Sequence, residues 1–159
     1  MTNNYWLLKS EPDTFGIEDL AAAPKRTTRW DGVRNFQARN MLRDSIAKGD
    51  RAFFYHSSCE IPGIAGIVRI AKAGYPDPTA FDPKNDYYDP DSAKYGADAP
   101  RWYAVDVTLE RKFKRVIRLD ELRAHAGAAL ADLVILRRGN RLSVTPVSKK
   151  EWDFVLSLE

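Results

Sequence analysis

His56-Ser57-Ser58-Cys59 sets an imidazole beside two hydroxyls and the single thiol of the chain, and Ser10-Glu11 adds a hydroxyl with a carboxylate. A histidine next to a thiol or hydroxyl is how nucleophiles are activated. His56 and Cys59 stand three apart at the end of a predicted strand, however, so extended backbone points them to opposite faces and only a turn could join them. A structural His and Cys is the simpler reading, and no catalytic residue is assigned. Glu11 and His56 remain candidate general bases.

Trp30-Asp31-Gly32-Val33-Arg34-Asn35 combines an aromatic face, a turn glycine and a cation just before a predicted helix. Such a set suits a planar, anionic ligand. Trp30 offers a stacking face, Gly32 lets backbone approach, and the helix start presents free N–H groups and a positive dipole end. Arg34 adds a full charge as a candidate phosphate contact. The alternative packs Trp30 in the core and pairs Arg34 with Asp31, and the residues alone leave both open.

Charge is unevenly spread. Residues 51–100 carry 5 basic and 7 acidic side chains, whereas residues 101–150 carry 12 and 5. The excess lies in Arg111-Lys112-Phe113-Lys114-Arg115 and in Arg137-Arg138-Gly139-Asn140-Arg141, either solvated surface or the footprint of an anion or nucleic acid. Arg137, Arg138 and Arg141 are the candidate phosphate grip. There is no G-x-G-x-x-G, Walker loop or G-x-S-x-G, and two histidines with one cysteine assemble no ordinary zinc set. No metal and no cofactor are expected.

These residues need a scaffold. A chain of 159 residues, 44% hydrophobic, is enough for one buried core, and a single domain over residues 1–159 is expected. With one cysteine, no basic-then-apolar start and no apolar run of about 20 residues, a soluble protein of a reducing compartment is predicted, cytoplasmic or, in a nucleated cell, nuclear. Residues 5–9 read as a buried strand, 17–23 as a brief helix before Pro24, and 35–48 as the longest helix, capped by Asn35 with Ala38, Leu42 and Ile46 inward and Gly49 at its end. Residues 51–56 and 64–71 read as strands, Gly66 implying close approach of something to the second.

Residues 75–102 hold five of the nine prolines and show no period, which predicts a long ordered loop or a lid, with Tyr87, Tyr88 and Tyr95 packing it down and Trp102 the candidate second stacking surface. Residues 103–111 alternate as a half-buried strand. A short helix is expected at 119–124, and a hairpin pairing 133–136 with 142–145 around Gly139-Asn140. The closing helix carries a Ser148/Glu151 capping box and a Val147/Trp152 staple. Many short strands with peripheral helices predict an α+β fold built on a partly closed β-barrel.

Lys9-Ser10-Glu11-Pro12, Trp30-Asp31-Gly32-Val33-Arg34-Asn35, Phe54-Tyr55-His56-Ser57, Tyr75-Pro76-Asp77-Pro78 and the run from Leu136 to Val144, in this order, resemble the EVE domain over almost the whole chain. The resemblance implies a PUA-like barrel, related to YTH and ASCH domains, that receives a modified base extruded from nucleic acid. It places Lys9, Ser10 and Glu11 at the pocket rim and Trp30 at its wall, with Val33 among the base contacts. Asn35, Tyr55, His56 and Ser57 would lie inside, and Leu136, Arg137, Ser143 and Val144 would complete the opposite side. Phe36 stands where many members have Tyr, Asn140 where Ser is common, and residues 92–99 form extra loop that would alter which base fits. The expectation is a monomeric, non-catalytic module that binds DNA or RNA carrying a modified base; the alternative is an ASCH-like hydrolase acting on a modified nucleoside or base amide, with Glu11 or His56 as general base.

Overall fold

The structure, a computed structural model, describes residues 4–96 and 100–159; residues 97–99 of the extra loop and the side chain of Tyr95 lie outside the described residues. Six strands form one sheet: β1 (Tyr5–Ser10), β2 (Thr27–Trp30), β3 (Arg51–His56), β4 (Gly63–Pro76), β5 (Tyr103–Arg118) and β6 (Val144–Val147). Their order is β2-β5-β4-β3-β1-β6. β1 runs parallel to β3 and every other neighbouring pair is antiparallel. Among the described residues no pairing joins β2 to β6, so the expected α+β class holds and the sheet stays open between its two edges.

Helices cover both faces. Trp6 and Leu8 of β1 join Phe54, Val68, Val105 and Val107 in one apolar cluster, roofed by α1 (Pro12–Phe15), α2 (Ile17–Ala22) and α3 (Phe36–Asn40). Leu7 points the other way, into a cluster with Phe53, Ile64 and Ile117 that α5 (Leu119–Arg123) and α6 (Lys149–Leu158) close. Burial on both faces is why β1 and β3 read as unbroken apolar runs rather than alternating ones. Trp152 of α6 stacks on Phe53 at 3.9 Å, and truncating a buried aromatic of this kind to Ala costs about 3–5 kcal/mol. The α6 capping box forms as read, Ser148 N–H donating to Glu151 Oε1 at 2.8 Å and Glu151 N–H to Ser148 Oγ at 3.2 Å.

Several sequence boundaries are corrected. Asn35 does cap α3, its Oδ1 accepting from Ala38 N–H at 3.0 Å, and Ala38, Leu42 and Ile46 are buried. The helix nevertheless ends early: it widens into a π-turn at Met41–Ser45 and stops at Ile46, while Gly49 N–H bonds to the carbonyl of Ile70. β4 and β5 run well beyond the predicted strands, bulged where their register shifts. Gly66 sits at one shift, where a Cβ would lie 2.5 Å from the Arg111 carbonyl and from Ile17 Cδ1; the close approach is the protein's own.

The predicted hairpin does not form. Val134–Leu136 is a 3-10 turn, and β6 pairs antiparallel with the free edge of β1 instead, Val144–Val147 against Tyr5–Leu8. The region of residues 75–102 is also less irregular than expected: a 3-10 turn at Pro78–Phe81 and α4 (Pro90–Tyr95) break it up.

Candidate nucleic-acid interface

Parallel pairing of β1 and β3 sends two chains out of the sheet at the same end. Ser10 lies opposite His56 in register, and Ser57 N–H donates to the Ser10 carbonyl at 2.9 Å. Ser10-Glu11 and Ser57-Ser58 thus come together although 46 positions separate the pairs. Ser58 takes φ 52°, a left-handed conformation that a non-glycine residue holds only under constraint from its surroundings. Two cavities open here, of about 700 and 490 Å³, with Lys9, Ser57 and Ser58 in the common wall.

The larger cavity gathers Lys9, Ser10, Glu11, Trp30, Val33 and Ser57 with Ser143 and Arg141. Trp30 ends β2, 7% exposed, in a T-shaped contact with Phe54 at 5.5 Å, and it also lines the cavity. It belongs both to the core and to the wall, so the two sequence alternatives were not exclusive. Ser10 Oγ donates to the Phe15 carbonyl at 2.6 Å, which fixes the rim. Arg29, lining the same wall, is paired with Asp31 at 2.8 Å.

Tyr87 was not among the predicted contacts. It reaches the larger cavity from the loop between β4 and β5, 44% exposed, its ring laid over Gly32. Gly32 has φ +75°, and a Cβ there would fall 2.5 Å from the Tyr87 ring. The only sequence signal was Tyr87-Tyr88 within a proline-rich loop, which does not say which tyrosine faces inward.

Arg34 touches the cavity wall, but its charge is engaged internally. Its five N–H donors meet the Asp77 carboxylate at 2.9 Å, Thr79 Oγ1 at 3.1 Å, the Val33 carbonyl at 3.1 Å and the Tyr87 carbonyl at 3.2 and 2.7 Å. No donor is left for a phosphate, which corrects that expectation. Asp77 is completely buried and also accepts from Gly32 N–H at 2.9 Å. Burial pushes its carboxyl up, but the hydrogen bonds from Thr79, Gly32 and Arg34 outweigh burial and hold it below the usual carboxylate range. Arg34 therefore clamps the Tyr87 loop to the Trp30 turn.

Other predicted residues lie elsewhere. Asn35 caps α3, and Val144 is buried in β6 beside Leu8. His56 lines neither cavity: its Nε2 accepts from Ile17 N–H at 3.1 Å, supplying the α2 N-terminus with an acceptor. Burial lowers its pKa, partly offset by Glu18. Trp102 donates to Asp89 at 2.7 Å and stacks on Phe36 at 4.8 Å, away from both cavities, so the aromatic that the loop brings to the larger cavity is Tyr87. Tyr55, Leu136, Arg137 and Arg138 line the smaller cavity.

The two basic clusters now separate. Arg111 pairs with Glu159, Lys112 with Glu18 and Arg115 with Glu121, so most of the first cluster is neutralised where it stands. Among the described residues Arg137, Arg138 and Arg141 have no acidic partner, and all three reach the cavities. No group of three or more His, Cys, Asp or Glu that could hold a metal occurs among the described residues. No helix among them is long and apolar enough to cross a membrane.

The EVE domain family model matches residues 4–158. Human thymocyte nuclear protein 1 is 48% identical over 172 residues, covering 99% of this chain and 74% of that protein. A crystal structure of the human protein in complex with DNA containing 5-methylcytosine superposes with a TM-score of 0.91 at 47% identity, covering 98% of this chain and 97% of that one. A crystal structure of a Pseudomonas putida protein gives 0.90 at 49% identity, covering 97% and 98%.

Proposed function

The chain belongs to the EVE domain family, and from that premise we propose that it is a reader of modified bases in DNA, a binding module and not an enzyme. The larger cavity takes the base, extruded from its stack, and the free arginines hold the strand. The observation that carries this reading is the pairing of Trp30 in the cavity wall with Arg141 at the same cavity, a stacking face and an unpaired cation within one pocket. Extrusion costs a few kcal/mol of unstacking, which stacking worth about 1–3 kcal/mol and hydrogen bonds to the base edge offset. The likeness to a protein crystallised with 5-methylcytosine-containing DNA supports DNA as the polymer and that base as the first to test.

The hydrolase alternative loses one of its two bases. The His56 lone pair is held by Ile17 N–H outside both cavities, leaving Glu11 without a partner for acid–base chemistry. Trp30→Leu tests the reader directly, because it keeps apolar bulk against Phe54 while removing the aromatic face. Fluorescence anisotropy with matched 5-methylcytosine and cytosine duplexes should show discrimination falling about tenfold with the fold intact. Unchanged discrimination would remove the base from this cavity.

A further inference from the structure

The smaller cavity shares a wall with the larger one but differs in chemistry. Lys9, Arg123, Arg137 and Arg138 line it, and no aspartate or glutamate does. Among the described residues none of these four cations has a carboxylate partner. The Tyr55 side chain is buried except where it lines the cavity, and its hydroxyl meets no partner among the described residues.

We infer that the smaller cavity is a phosphate site, in which Lys9 and the three arginines balance the charge and the Tyr55 hydroxyl donates to an oxygen. A phosphate accepts from several directions at once, which suits an acid-free ring of donors, and planar guanidinium forks match its oxygens better than they match a halide. Burial holds the Lys9 amine below its ordinary value, and an anion beside it offsets that desolvation. The inference rests on the reader assignment in one respect. Because the two cavities share Lys9, Ser57 and Ser58, the phosphate next to the base in the larger cavity would fall into the smaller one. A free phosphate compound is the other source of the same chemistry.

The test titrates the isotopically labelled full chain with inorganic phosphate at ionic strength held constant with sodium chloride, reading backbone amides and arginine Nε by NMR. Saturable shifts should centre on Ser57, Ser58, Arg123 and Asn140. Binding should weaken about tenfold in Arg123→Ser, an exposed position outside the core, and in Tyr55→Phe, which keeps the ring, on the scale of one charge-assisted hydrogen bond. Shifts that stay linear, or saturable shifts that neither substitution alters, would overturn the site. Phosphate that displaces a 5-methylcytosine duplex better than chloride does identifies the strand as the source, and phosphate that binds alongside the duplex identifies a free compound. Failure of the reader assignment looks different: equal affinity for methylated and unmethylated duplexes with the phosphate shifts intact. Absent shifts with base preference intact would sink the phosphate site alone.

Discussion

The Tyr87 ring lies over Gly32 so closely that any Cβ at residue 32 would sit 2.5 Å from Cε2. The wall of the larger cavity is therefore set by two residues that meet only because one of them has no side chain. Gly32→Ala must both hold φ +75° and expel Tyr87, and the left-handed backbone alone costs about 1–2 kcal/mol. Tyr87→Ala removes the ring without strain. Both should weaken binding of a 5-methylcytosine duplex several-fold by anisotropy, and only Gly32→Ala should lower the melting temperature appreciably. Full affinity in Tyr87→Ala would show that the ring merely covers the loop.

Arg34 and the free arginines should behave oppositely. Arg34→Ala leaves Asp77 buried without its partner, a loss of about 3 kcal/mol seen in thermal or urea unfolding, while the salt dependence of DNA binding keeps its slope. Replacing Arg137 and Arg141 together should leave stability unchanged and flatten that slope by about 0.7–0.9 for each phosphate contact removed. Substituting Arg111 and Arg115 should do neither to DNA binding, since their charges already face Glu159 and Glu121. A flattened slope in Arg34→Ala would contradict the internal clamp.

His56 gives the fold a pH dependence. Its folded pKa is depressed, so between that value and the ordinary 6.5 the unfolded chain binds more protons than the folded one. The contribution is present above about pH 6.5 and is lost as pH falls through the folded value, when protonation of Nε2 breaks the bond from Ile17 N–H. Melting temperature should drop between about pH 7.5 and about pH 5.5, and His56→Gln should shrink that drop. An identical drop in the variant would place the acid sensitivity elsewhere.

What the sequence made legible was local or carried by the family motifs. The α3 and α6 caps, the apolar β1 and β3 and the wall position of Trp30 could be read because periodicity, capping chemistry and motif order all lie along the chain. Arg34 could not be read that way. A free arginine and a clamped one look alike in sequence, and its partner Asp77 stands 43 positions away. The same holds for the two basic clusters, which differ only in the acids that the fold brings to one of them. The hairpin misreading has a related cause: the turn at Gly139 is real, but β6 found a better-matched partner in β1 than in the 3-10 turn before it.

The seam between β1 and β6 pairs Tyr5 with Val147, so strands far apart along the chain must meet to close it. Both cavities depend on that seam, since Lys9 leaves β1 where Ser143 leads into β6, joined by a bond from Lys9 N–H to the Ser143 carbonyl. Pairings this distant in sequence are slow to form, because the loop between them must close before any contact rewards it. The wall that Lys9 and Ser143 share is therefore complete only once β6 reaches β1, and until then the apolar edge of β1 is open to whatever strand reaches it first.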